Sequence, residues 1–301
     1  MTQAAISVRG LRKSYGALEA VAGVDIDVAR GEVFALLGPN GAGKTTTVEI
    51  LEGYRPRSAG DVNVMGHDPG RNEVAFKRKI GIVLQDTGVS RFLTVSEVID
   101  QFRGYFPDPL PLEEIIEVVE LREKKDTLVR KLSGGQQRRL DVAVGLAGNP
   151  DLLFLDEPTT GFDPSARRNA WTMVHNLKAL GKTVLLTTHY MDEAHNLADN
   201  VAIIAKGKIV AQGPPATLGG ADLRRTTVSF EIPGSVALPE VGAVRSGKRV
   251  SVVTDEPERL LHRLTTWSLA EDIPLEGLNV SPPSLEDVYL RLTGDEEAAA
   301  S

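Results

Sequence analysis

At 301 residues with 42% apolar side chains, the chain is long enough to bury the core of one large domain and a smaller one. It has no run of about eighteen apolar residues, and the opening MTQAAISVRG lacks a charged segment followed by an apolar one, so it is expected neither to span a membrane nor to be exported. The absence of cysteine excludes disulfides, thiolate metal sites and cysteine nucleophiles, and a net charge of −7 without a long basic block argues against a nucleic-acid footprint.

In chain order, residues 5–30 alternate apolar and polar positions, as in Val24, Asp25, Ile26, Asp27 and Val28, the period of half-buried antiparallel strands. An apolar run at residues 32–37 leads into a glycine loop, and residues 44–52 read as a helix closed by Gly53. A strand is expected at residues 80–84. Thr94 and Glu97 form a capping box ahead of Val98, Ile99, Phe102, Tyr105 and Phe106 at helical spacing, and Pro107, Pro109 and Pro111 end that helix. A second helix near residues 112–121 completes a helical insertion at roughly residues 88–132, after which LSGGQQRRL opens a helix running to about Ala147.

Residues 152–155 and 184–186 are short apolar runs preceded by helical sequence, as buried parallel strands should be, and residues 201–205 and 208–212 read as a hairpin around Gly207. The Gly- and Pro-rich stretch AQGPPATLGGADL then introduces strands near residues 227–232 and 249–253 and helices near 257–267 and 285–292. The expected organisation is an α/β domain over residues 1–220 with a helical part at about 88–148, a C-terminal α+β accessory domain over 222–294, and a disordered tail at 295–301.

The stretch GPNGAGKTT fits G-x-x-x-x-G-K-[ST]. Gly38, Pro39, Asn40, Gly41, Ala42 and Gly43 form a loop whose backbone N–H groups converge on phosphates at a helix N-terminus. Lys44 would reach the β and γ phosphates, Thr45 would bind Mg²⁺, and Thr46 would donate to the α phosphate. The plain alternative, a glycine turn with a surface lysine, is disfavoured by the strand before the loop and the helix after it. Asp156 and Glu157 follow the apolar run LLFL, at the carboxyl end of a parallel strand, where ligands of open sheets bind. There Asp156 would hold the Mg²⁺ shell and Glu157 would accept a proton from an attacking water, although an isolated DE pair reads as a solvated loop. His189, at the end of TTH, would donate to a terminal phosphate, whereas His67, His175, His195 and His262 have no such placement. Gln85, after the strand at residues 80–84, can hydrogen-bond a metal-bound water.

Ser133, Gly134, Gly135 and Gln136 read in two ways. S-x-x-Q is a capping box, and two glycines in a first helical turn also let an anion approach the backbone closely. If the helical insertion separates this turn from the loop at Gly38, one phosphate reaches both only between two chains arranged head to tail.

Together, and in this order, these residues resemble the ATP-binding cassette ATPases over about residues 4–220. The resemblance implies the P-loop NTPase fold of an ABC-type nucleotide-binding domain: an α/β core, an antiparallel β subdomain and a helical insertion. It further implies that GPNGAGKTT is the Walker A loop, Tyr15 the aromatic that stacks on adenine, Gln85 the Q-loop residue and a metal ligand, LSGGQ the signature, LLFLDEP Walker B with Asp156 as metal ligand and Glu157 as base, Asp163 in GFDP the D-loop, and His189 the switch histidine. Phe162 stands where leucine is usual. ATP and Mg²⁺ are the implied ligands, held between two copies in a homodimer with two competent sites.

The stretch PSLEDVYLRLTG at residues 283–294 resembles the tail domain of the daunorubicin-resistance type of multidrug exporter. That implies export of a drug-like or lipid-like molecule through separate integral-membrane permease subunits, with this chain peripheral on the cytoplasmic face of the membrane and no nucleic-acid partner. The alternative is a soluble cassette ATPase acting on a ribosome or DNA. The paired cassettes or the coiled-coil and zinc insertions usual in such proteins are missing here. A P-loop kinase or GTPase would leave Ser133, Gln136 and His189 unexplained, and the guanine-reading N-K-x-D is absent.

Overall fold

The computed structural model describes residues 4–83, 88–160, 162, 164–218, 226–233, 236, 238–239 and 241–281. The chain divides into two compact units, Met1–Ala216 and Thr217–Ser301.

The first unit opens with β1 (Ala4–Tyr15) and β2 (Leu18–Ala29), which pair antiparallel as their alternation requires. The buried strand β3 (Val33–Leu37) runs into the glycine loop, and α1 (Lys44–Leu51) follows it. β4 (Ala59–Val64) then returns to the free edge of β1, giving the order β2-β1-β4. This third strand is not foreseen from the sequence because only Val62 and Val64 alternate inward within it. After α2 (Val74–Lys77) comes β5 (Ile80–Val83), whose expected last residue, Leu84, lies outside the described residues together with Gln85.

The helical part contains α3 (Val95–Arg103), α4 (Leu112–Val118) and α5 (Gly134–Leu146). Thr94 and Glu97 cap α3 reciprocally, and the helix ends three residues before Phe106, where Arg103 turns its guanidinium onto the Leu110 carbonyl. The chain then alternates β6 (Leu152–Asp156), α6 (Pro164–Ala179), β7 (Thr183–Thr188), α7 (Met191–Leu197), β8 (Asn200–Ala205) and β9 (Lys208–Gly213). The resulting six-stranded sheet has the order β5-β6-β7-β3-β8-β9 and is parallel except for the β8–β9 hairpin. That hairpin turns at Lys206 and Gly207, both with positive φ (47° and 77°), as a two-residue turn of the primed type demands.

The inward faces of β1 and β2, including Ile6, Leu11 and Ile26, pack with Phe34, Leu36, Phe154, Leu185 and Ile204 of the parallel sheet in one apolar core. β3 and β7 are buried at every position, because a central parallel strand is covered on both faces.

The second unit contains β10 (Thr226–Glu231), β11 (Val244–Ser246), β12 (Arg249–Thr254), α8 (Pro257–Glu271) and β13 (Glu276–Ser281), with the antiparallel order β11-β12-β10-β13. Val228, Phe230, Val250 and Val252 pack against Leu260 and Leu264 of α8. The two edge strands escape sequence reading because β13 is exposed along most of its length and β11 is three residues long. The helix expected near residues 285–292, the stretch 283–294 and the tail lie outside the described residues.

Phe154 is 1% exposed at the centre of this core. Replacing it with alanine is expected to lower unfolding free energy by about 3–5 kcal/mol, through lost transfer energy and an unfilled cavity. Chemical denaturation followed by circular dichroism checks this, and an unchanged midpoint would contradict the packing described.

Candidate active site at the carboxyl edge of the parallel sheet

Three adjacent strands end level with one another. Leu37 of β3 lies opposite Thr188 of β7, and Asp156 of β6 lies opposite Thr187. The residues that leave these ends are Gly38, Glu157 and His189, which are far apart in the chain.

The glycine loop is braced from behind. Gly38 N–H donates to the Thr188 carbonyl at 3.4 Å, and Gly207 N–H of the hairpin turn donates to the Ala42 carbonyl at 2.9 Å. Gly43 has φ 105°, and a Cβ there would stand 2.5 Å from the Ala20 carbonyl oxygen, so only glycine fits this close approach. Pro39, Asn40 and Gly41 line the exposed rim, while Ala42 is buried.

Lys44, at the first position of α1, is 5% exposed and donates to the carbonyls of Gly38 (2.7 Å) and Pro39 (3.2 Å). Its Nζ lies 3.8 Å from Glu157 Oε1. Burial pulls the ammonium below its usual range, and the charges of Glu157 and Asp156 oppose that pull. Thr45 is exposed and Thr46 half-buried on the following turn.

Glu157 has φ 43°, a left-handed conformation that a residue with a long side chain adopts only at a cost of about 1–3 kcal/mol. Its carboxylate meets His189 Nδ1 at 3.2 Å through Oε1 and accepts from Thr160 Oγ1 at 3.0 Å through Oε2. Burial works to raise this carboxyl, but hydrogen bonds from His189 and Thr160 and the charges of His189 and Lys44 outweigh it, so Glu157 titrates below the usual carboxylate range. Stability linked to Glu157 is therefore present above the ordinary carboxyl range and is lost as pH falls through the depressed folded value.

Thr187 connects the two acidic residues. Its hydroxyl donates to Asp156 Oδ1 and accepts the Glu157 N–H at 3.0 Å. Arg138 of α5, largely buried, donates to the Asp156 backbone carbonyl at 2.8 Å and so ties that helix to this strand end. Sequence reading gave no role to either residue, nor to Thr160. The available signals were a hydroxyl three residues after Glu157 in a turn and one basic residue on the inward stripe of α5.

Other expected site residues stand further off. Tyr15 ends β1 with its ring partly exposed, and the cations of Lys13 and Arg55 lie 5.1 and 5.5 Å from the ring centroid. Ser133 and Gln136 form the capping box at the start of α5: Ser133 Oγ accepts from the Gln136 N–H at 3.4 Å, and Gln136 Oε1 accepts from the Ser133 N–H at 3.0 Å. Gly134 faces open space: apart from its chain neighbours and its own helix, nothing lies within 4 Å of where a Cβ would stand. Among the described residues, the cluster around Lys44 and Glu157 draws nothing from this turn. Gln85 and Asp163 lie outside the described residues.

Residues 21–160 match the family described as ABC transporter, and residues 226–284 match the family described as ABC transporter domain-containing protein-like, C-terminal domain. The chain is 39% identical to the Nod factor export ATP-binding protein I of Ralstonia nicotianae, over 97% of this chain and 94% of that one. It is 37% identical to the daunorubicin resistance ATP-binding protein DrrA3 of Streptomyces coeruleorubidus, over 98% of each chain. Among solved structures, cbiO1 from Clostridium perfringens, part of the ABC transporter complex cbiONQ, is 28% identical with a TM-score of 0.63 over 70% of this chain and 89% of that one. The ADP conformation of MJ1267, an ATP-binding cassette of an ABC transporter, is 27% identical with a TM-score of 0.63 over 71% of this chain and 92% of that one.

His189→Ala removes the largest of the contributions that lower the Glu157 carboxyl, so that carboxyl is expected to titrate higher in the variant. A carbon-13 chemical-shift titration of Glu157 reads this directly; an unchanged or lower midpoint would rule out the contact.

Proposed function

The chain belongs to the exporter ATP-binding proteins of the ABC transporter family and hydrolyses ATP, and from that membership we propose that it powers export of a drug-like or lipid-like molecule through separate integral-membrane permease subunits. The names of the relatives, Nod factor export and daunorubicin resistance, support the substrate class. Among the described residues no helix is long and apolar enough to cross a membrane, which supports a permease on separate chains. In this reading the protein sits on the cytoplasmic face of the membrane through that permease.

The observation that carries the mechanism is the placement of one carboxylate, Glu157, between Lys44 at 3.8 Å and His189 at 3.2 Å on the edge where the phosphate loop leaves the sheet. The loop's glycines admit a triphosphate to backbone N–H groups, and Lys44 exchanges its two loop carbonyls for phosphate oxygens. Tyr15 offers its ring to the adenine. Glu157, held ionised, takes a proton from the attacking water, and His189 holds the γ-phosphate in line. Mg²⁺ fits the same edge: Thr45 presents an exposed hydroxyl and Asp156 a carboxylate with one oxygen engaged by Thr187, hard oxygen donors suited to an ion shared with phosphates. When bound it supplies positive charge to the phosphate oxygens.

The second cradle belongs to another copy. α5 is a 13-residue helix whose first turn is open at Ser133 and Gly134, so its N-terminus can receive the γ-phosphate held by the loop of a partner molecule. Two copies arranged head to tail close on two ATP molecules, and hydrolysis reopens them. The helical part moves with that closure and transmits it to the permease.

Glu157→Gln is expected to bind ATP and remain a closed dimer with turnover reduced at least about a hundredfold, as for loss of a general base. Near-normal phosphate release in that variant would remove Glu157 from the base role. Gly135→Asp places a negative charge in the first turn of α5 and leaves the phosphate loop untouched. It should bind ATP as a monomer yet lose dimerisation, read by light scattering with and without ATP, and retention of the ATP-dependent dimer would overturn the head-to-tail arrangement.

A further inference from the structure

Glu193 of α7 has no place in the mechanism above, yet it is fully buried at 0% exposure. A buried carboxylate is a costly way to fill space that a leucine would fill, unless its oxygens perform a task. Its surroundings identify one. Glu193 Oε2 accepts a hydrogen bond from Thr188 Oγ1, and the same hydroxyl accepts the Tyr190 N–H at 3.0 Å. The second contact closes a turn whose middle residue is His189. Because a hydroxyl has one proton, giving it to Glu193 leaves the oxygen lone pairs directed at Tyr190, so the carboxylate sets the orientation on which this turn depends. Thr188 also accepts the Gly38 N–H through its carbonyl.

We propose that Glu193 is a positioning residue for ATP hydrolysis, a buried acceptor that fixes the turn carrying His189 against the segment carrying Glu157. The second carboxylate oxygen supports the other half of that tie. Oε1 is buried without a hydrogen-bond partner, and so is the hydroxyl of Thr159, two residues after Glu157. The Thr159 hydroxyl favours the charged form of the Glu193 carboxyl, so the segment that follows Glu157 carries an unpaired donor and α7 an unpaired acceptor. Burial holds the Glu193 carboxyl above its usual range, and the Thr188 and Thr159 hydroxyls and the Arg167 charge offset that push only in part. Arg167 of α6 holds the same turn from outside: its guanidinium lies 4.2 Å from the Tyr190 ring centroid and bonds Asp192 at 3.1 Å. The neighbouring threonines thus divide the work, Thr187 holding Asp156 and Glu157 and Thr188 holding His189.

This inference rests on the roles proposed for Glu157 and His189, and one set of full-length variants separates the two. ATP affinity is read by equilibrium titration with a fluorescent ATP analogue, and kcat and KM by phosphate release. Glu193→Leu is expected to lower kcat by about 10- to 100-fold, with KM and analogue affinity within about threefold of the parent, because the lost acceptor leaves a buried donor unsatisfied. Glu193→Gln keeps an acceptor for Thr188 and should restore kcat to within about threefold. Thr188→Val should match Glu193→Leu, with no further loss in the double variant, and carries the same reading if Glu193→Leu does not fold. A folded Glu193→Leu with parental kcat, a Gln variant as impaired as Leu, or a parallel loss of nucleotide affinity overturns the positioning role. If Glu157→Gln turns over normally, the site reading itself fails; if it is inactive while Glu193→Leu is normal, only the positioning role falls.

Discussion

The register of three parallel strands governs the rest of the molecule. β3 lies between β7 and β8, and β7 lies between β3 and β6, with Leu37 opposite Thr188 and Asp156 opposite Thr187. A parallel sheet buried on both faces tolerates no slip, since its ladder and its packing are fixed together. Its carboxyl edge therefore delivers Gly38, Glu157 and His189 at one level. Everything chemical in the first unit follows from that alignment, including the 3.2 Å contact between Glu157 and His189 across 32 positions of chain.

That edge is also where polar groups must be satisfied without the help of a continuing ladder. Two adjacent threonines meet the need. Thr187 holds the Asp156 carboxylate and the Glu157 amide, and Thr188 holds the Tyr190 amide and the Glu193 carboxylate. Successive residues of a strand point to opposite faces, so two neighbours serve two different clusters. The ionised groups are balanced in a related way. Burial depresses Lys44 and the nearby carboxylates resist it, while the strained backbone at Glu157 aims its carboxylate at the cation and the imidazole.

The strands themselves, though not their order in the sheet, were legible to the extent that periodicity carries them. β1 and β2 alternate, β3, β6 and β7 are short apolar runs, and the Ser133–Gln136 and Thr94–Glu97 spacings specify capping boxes that the structure forms. β4, β11 and β13 were not legible, because edge strands with few inward residues leave no period to detect. The same limit applies to the candidate site. Lys44, Asp156, Glu157 and His189 stand in recognisable local patterns, but Thr160, Arg138 and Glu193 are ordinary residues of a turn and two helices until folding gives them partners.

By itself, the amino-acid sequence determined the fold class, the family and the identity of the loop and strand-end residues, since each depends on local spacing: glycines where the backbone must approach a neighbour, apolar runs where strands are buried. Tertiary structure alone decided which of those residues meet. The distances among Lys44, Glu157 and His189, the sharing of Thr187 between two acids, and the burial of Glu193 beneath the His189 turn arise from pairing strands remote in sequence. No local pattern encodes such pairings, because they come from the order in which strands assemble around one core.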